Sequence, residues 1–184
     1  MTPYEELQPY LRPQERVLWT GRPDPEVIFA SSDAYMVPFS LMWGGFAIFW
    51  EAGVLRSDAP AFFRLWGVPF VLIGLYMIFG RFFYKRRQKE RTVYAVTDHR
   101  AIALTGGTTL TDSPLKYQPI TVKRSRDRRH ATVLVGNGLG AWRGAAMYAN
   151  TGMDFFGRAS GAMFGFFDVA EPDAMLQAIE QARS

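Results

Sequence analysis

Two long uncharged stretches near the start of the sequence limit what the chain can fold into. Residues 34–50 read AYMVPFSLMWGGFAIFW, and residues 65–80 form a second run without a charge, between Arg64 and Arg81. The hydrocarbon core of a bilayer is about 30 Å thick and takes about 20 mostly apolar helical residues to cross. Taken as 35–55 and 62–83, both segments reach that length. A helix of a small soluble domain keeps a polar face, and neither segment has one. Pro38, Gly44, Gly45, Gly67 and Pro69 weaken a helix in water but are common in membrane spans. The connector RSDAPA leaves room only for a tight hairpin. The competing reading is a pair of helices buried in a soluble protein.

Charge follows directly on the second stretch. The net charge of the chain is +4, yet residues 81–130 hold 13 Lys/Arg against 4 Asp/Glu. In RFFYKRRQKER, we expect Arg81, Lys85, Arg86, Arg87, Lys89 and Arg91 to meet anionic lipid headgroups. Phe82, Phe83 and Tyr84, with Tyr35, Trp50 and Trp66, suit the aromatic belt at a membrane surface. Lys and Arg favour the cytoplasmic side of a membrane. Arg12, Arg16 and Arg22 precede the first stretch and six cations follow the second. The connector has Arg56, with Arg64 just inside the second stretch. The expectation is a multi-pass inner-membrane protein with both termini cytoplasmic. Glu51 is expected to reach the near surface or pair with Arg56 or Arg64.

After Arg91 the pattern changes to short β-rich runs. Residues 92–97 and 100–105 read as strands joined at Asp98-His99, with a second turn at Gly106-Gly107. LKYQPITVKRS, HATVLVG and AMFGFFDV read as three more strands, and ERVLWTG, ahead of the uncharged stretches, as another. Residues 136–162, rich in glycine and carrying Trp142, Tyr148, Phe155 and Phe156, read as a long loop. EPDAMLQAIEQARS is a helix with acids early and Arg183 late. Met175, Leu176, Ile179 and Ala182 form its apolar stripe. The fold class is α+β, divided as a segment 1–33, a helical hairpin 34–84 and a domain 92–184 of antiparallel strands closed by the terminal helix.

Several chemistries find no support in the residues. Cysteine is absent and only His99 and His130 are present, so a cysteine- or imidazole-built metal site is not expected. GNGLGA at 136–141 fits a relaxed dinucleotide spacing, but too little chain follows for a crossover helix and a second strand. Asp98 suits a turn, His99 an exposed neighbour, and His130 the end of a solvated hairpin tip. Neither catalysis nor a cofactor is expected. Lys123, Arg124, Arg126, Arg128 and Arg129 form a basic patch that could hold a nucleic-acid backbone. At a bilayer surface it meets lipid or a protein partner first, so no nucleic acid is expected.

LRPQERVLWTGRPDP, YAVTDHRAIALTGG and FFDVAEPDAMLQAIEQA together resemble bacterial membrane proteins in which a pleckstrin-homology-like (PH-like) domain follows a two-span hairpin. The resemblance implies a bent, partly open barrel of antiparallel strands plugged by the C-terminal helix. It also implies a small interaction module without catalysis. Phosphoinositide-binding members carry spaced cations across the first strand pair, whereas here Arg100 is the only one between Thr92 and Thr111. The expected function is a membrane-tethered scaffold or adaptor for a protein partner or the lipid surface. The alternative is an accessory subunit or assembly factor of a membrane transport or bioenergetic complex. Gly44, Gly45, Gly67 and Gly74 would then let other spans approach closely.

Overall fold

The sheet begins before the hairpin. The structure, a computed structural model, describes residues 2–29, 33–126, 128–136, 150–152 and 164–184. Most of the glycine-rich stretch 136–162, with its four aromatics, lies outside the described residues. Helix α1 (Pro3–Leu7) starts at a capping box made by Thr2 and Glu5, and strand β1 (Val17–Gly21) follows. β1 pairs antiparallel with β2 (Thr92–Thr97), placing Thr20 opposite Ala95 and Gly21 opposite Tyr94. The whole hairpin is therefore an insertion in the connection between two neighbouring strands. The segment 1–33, set apart in the sequence, supplies an element of the sheet.

The hairpin consists of α2 (Asp33–Arg56) and a longer second helix. The latter runs from α3 (Ala61–Leu75) through a π turn at Tyr76–Gly80 into α4 (Arg81–Glu90). The basic stretch that follows the apolar run is thus helical, in keeping with the good helix propensity of Arg, Lys, Gln and Glu. Both helices are long and apolar enough to cross a membrane, and only 22% and 17% of their most apolar windows are buried within the chain. Met42, Phe49, Leu65 and Phe83 stand outward. A buried soluble pair would cover such side chains.

The two helices meet at glycine. A Cβ on Gly74 would lie 2.8 Å from the Gly44 Cα, so a side chain there would collide with backbone. Gly67 likewise faces inward, against Trp50 and Glu51. Three of the four glycines expected to admit other spans are therefore used inside the hairpin, while a Cβ on Gly45 would meet no described residue within 4 Å.

β3 (Arg100–Thr105) and β4 (Thr109–Pro114) complete the first sheet, in the order β1-β2-β3-β4. Gly106 and Gly107 join β3 to β4 with φ of 66° and 74°, angles that other residues rarely adopt. TLTDSP has little strand character of its own, and β4 is held by its pairing with β3 along the full length. β5 (Ile120–Arg124), β6 (His130–Val135) and β7 (Phe164–Ala170) form the second sheet in that order. A bridge between Pro23 and Val169 joins the two sheets. The strands thus run β4-β3-β2-β1 and then β7-β6-β5, with β4 and β5 at the outer ends.

Helix α5 (Asp173–Arg183) closes the core. Its Met175, Ala178 and Ile179 pack with Tyr94, Val96 and Ala101 of the first sheet and Val133, Phe166 and Val169 of the second. The other face of β2 and β3, with Val93, Ala95, Ile102 and Leu104, is covered by Leu7, Tyr10 and Leu11. Burial on both faces accounts for the continuous apolar runs VYAV and AIAL, where a one-sided strand would alternate.

Candidate functional site

Arg81, Lys85 and Lys89 are spaced four apart, so they lie on one face of α4. That face is buried: the three residues are 0%, 3% and 5% exposed. Charge is costly to bury without partners, and each of the three has them. Arg81 is ion-paired with Asp33 at the start of α2, and its Nε donates to the Met77 carbonyl at 2.8 Å. Lys85 donates to the Ile28 carbonyl at 2.7 Å and sits 4.0 Å from the Asp33 carboxylate. Lys89 donates to the carbonyls of Asp24 and Val27, at 3.0 and 2.7 Å, and to the Asp168 carboxylate at 2.5 Å. The stripe therefore clasps the strand of chain that leaves β1 and enters the hairpin.

The second sheet supplies the other jaw. Asp168 has φ of 50°, beside a register shift opposite Ala131 and Val133. Bulges of this kind re-aim side chains. The Asp168 carboxylate takes Lys89 and also the Asn150 amide, at 2.6 Å. Its carbonyl accepts the Asp24 N–H at 2.8 Å. The Asp24 side chain meets His130 Nε2 at 2.8 Å, which ties β6 to the same strand. Burial alone would raise the Asp24 pKa; hydrogen bonds from the Glu26 amide and His130 outweigh it and hold it lowered. Arg22 adds bonds to the Glu90 carbonyl, at 3.1 Å, and to Glu6, at 2.5 Å.

The π turn sets a further contact. Tyr76 donates to the Gly152 carbonyl at 2.8 Å. Gly152 has φ of 81° and lies so close to the Arg81 carbonyl that a Cβ would collide with it. Gly152 is thereby held against the helix where α3 becomes α4. Single π turns are frequent at functional sites.

The six cations assigned to lipid headgroups are thus divided. Arg81, Lys85 and Lys89 are turned into the protein, since carbonyls and carboxylates there take their hydrogen bonds. Arg86, Arg87 and Arg91 are exposed, and Arg86 pairs with Glu90 at 3.3 Å. Of the aromatics, Phe83 and Tyr84 are exposed, as are Tyr35, stacked on Phe39, and Trp66, stacked on Phe62. Trp50 is half-buried beside Gly67. Phe82 is half-buried under the Arg81 guanidinium and against Phe29. Glu51 does not reach the surface: it is buried against Gly67, and its Oε2 has no hydrogen-bond partner among the described residues.

Elsewhere, Lys123, Arg124, Arg126, Arg128 and Arg129 are all exposed, and Arg124 bonds Asp173 of α5 at 2.8 Å. His99 is exposed at its turn, while His130 is not a solvated tip but part of the clasp. Arg100 is buried and bound by Glu15, at 2.8 and 2.9 Å, and by Asp112 at 2.8 Å, so it faces no headgroup. Hydrogen bonds from Arg100 hold the Glu15 pKa down at about 2 against the opposing effect of burial.

Asp33, Asp168 and the 24–28 backbone were missed as partners of the basic stretch. The four-residue spacing of Arg81, Lys85 and Lys89 was the available signal. No family model, curated protein or solved structure matches the chain.

Proposed function

We propose that the chain is an integral protein of the cell inner membrane, crossing twice, with both termini cytoplasmic and a PH-like domain that acts as a non-catalytic adaptor. The observation that carries the reading is the clasp. The hairpin leaves and re-enters the sheet through adjacent strands, and Arg81, Lys85 and Lys89 fasten it there. A domain held so rigidly at a bilayer presents its surface at a fixed height, which suits recruitment of a partner. Arg86, Arg87 and Arg91 are exposed and free of the clasp, which supports contact with anionic headgroups at about 1 kcal/mol each. The open order of strands, two sheets and a closing helix fits the PH-like expectation.

Two experiments test this reading. The full-length protein should stay in the membrane pellet through alkaline carbonate extraction. Crosslinking in intact membranes should capture a discrete neighbour through the sheet domain. Release into the supernatant contradicts the membrane reading, and crosslinks confined to the hairpin contradict the adaptor. The second reading, an accessory subunit, is favoured by Gly45 and Gly53, where an added Cβ would meet no described residue within 4 Å, leaving room for another span. It requires the hairpin crosslinks and co-migration with a larger complex in mild detergent.

A further inference from the structure

We propose that the outer edge of β5 docks an acidic, extended segment of a partner protein as an added strand. This rests on the adaptor reading and gives it a surface and a partner chemistry. In an antiparallel pair, alternate residues turn their N–H and C=O toward the neighbour. The Gly136 N–H donates to the Pro119 carbonyl and the Ser125 N–H to the His130 carbonyl, both at 2.9 Å. Residues 119, 121, 123 and 125 therefore face β6. Ile120, Val122 and Arg124 turn their backbone groups the other way, toward an edge that no described strand occupies.

The other outer edge is blunted. The Leu115 N–H bonds the His99 carbonyl, so the same alternation turns Leu110, Asp112 and Pro114 outward on β4. Proline has no N–H to offer, and the Asp112 carboxylate is negative and held by Arg100 and Arg12. β5 has donors at all three outward positions. Edge strands are often guarded by cations that repel a like strand. The guard on β5 is one-sided: residues 116–129 hold six Lys/Arg and a single acid, Asp127. Such an edge rejects a second copy of itself and admits an acidic strand.

Side-chain alternation narrows the partner further. Ile120, Val122 and Arg124 stand opposite Val135, Val133 and Ala131, which are buried, so they share the core-facing side. Val122 is nevertheless 41% exposed at the rim. Thr121 and Lys123 lie on the opposite face. An added strand would set an apolar residue beside Val122 and an acid beside Lys123. At about 3.3 Å per residue, β5 takes five or six residues of such an alternating segment. Anionic lipid would use the cations but not the backbone groups.

The test uses the full chain in nanodiscs of zwitterionic lipid and a displayed library of random nine-residue peptides. Selection should enrich Asp/Glu alternating with apolar residues. A selected peptide should weaken at least tenfold on Lys123→Glu and on Val122→Pro. The latter removes an outward N–H that no described strand uses, so the melting temperature should hold. N-methylation of alternate peptide residues should abolish binding without altering the protein. Peptides without acidic enrichment, or acidic peptides that tolerate both N-methylation and Lys123→Glu, would overturn the proposal. So would phosphatidylglycerol vesicles binding through Lys123 where no peptide does. A negative result on protein that still resists carbonate extraction and still crosslinks through its sheets removes the β5 edge alone and leaves the adaptor reading standing.

Discussion

The hairpin and the sheet domain are built inside out from one another. The sheets bury Phe166, Val133 and Met175 and expose Lys123 and Arg126. The hairpin exposes Phe49, Leu65 and Phe83 while burying Asp33, Glu51, Arg81 and Lys85. The sheet pattern is that of a structure whose surroundings are water. The hairpin pattern is the reverse, apolar side chains outside and charged ones turned inward. The clasp is where the two patterns meet, and backbone carbonyls and acids from both sides bind its cations.

If each part buries what its surroundings reject, equivalent damage to either should be equally severe. Phe166→Ala should cost about 3–5 kcal/mol through lost burial and a cavity. Asp33→Ala leaves Arg81 buried beside no carboxylate and should cost about the same. Thermal unfolding in detergent measures both, and a mild Asp33 variant would break the symmetry. Next in size is the helix crossing. Gly74→Val forces a side chain onto the Gly44 backbone and should cost about 1–3 kcal/mol. Gly45→Val, facing outward, should leave the hairpin's stability unchanged in the same assay.

A pH titration separates the parts more finely. The Glu15 pKa is lowered from 4.5 to about 2 by Arg100. The stability this contributes is therefore present above pH 4.5 and lost as the pH falls toward 2. Glu15→Gln should lower the neutral-pH melting temperature and flatten the acid side of its pH profile. The smallest effect is expected from Arg86→Ala, because an exposed pair such as Arg86–Glu90 is worth at most about 0.5 kcal/mol.

What was legible in the sequence was local. The two apolar helices, the β2–β3 hairpin with its Gly106-Gly107 turn, and the stripe on α5 each follow from neighbouring residues. What was not legible depends on distant partners. The pairing of Thr20 with Ala95 across the hairpin leaves no trace in either strand alone. Arg81, Lys85 and Lys89 read as a lipid-facing cluster because Asp33 and Asp168 are far away in the chain. TLTDSP became β4 only because β3 offered it an edge. His130 read as a solvated tip until β6 brought it to Asp24.

Since the chain lacks cysteine, single-cysteine labelling can test the central claim without a background. Ser57→Cys in the connector and Tyr117→Cys on the sheet domain would be treated with a membrane-impermeant maleimide in intact cells. The expected result is labelling at 57 from outside and at 117 only after permeabilisation. Labelling of both positions from the same side would contradict a hairpin that crosses the membrane beneath a clasped cytoplasmic domain.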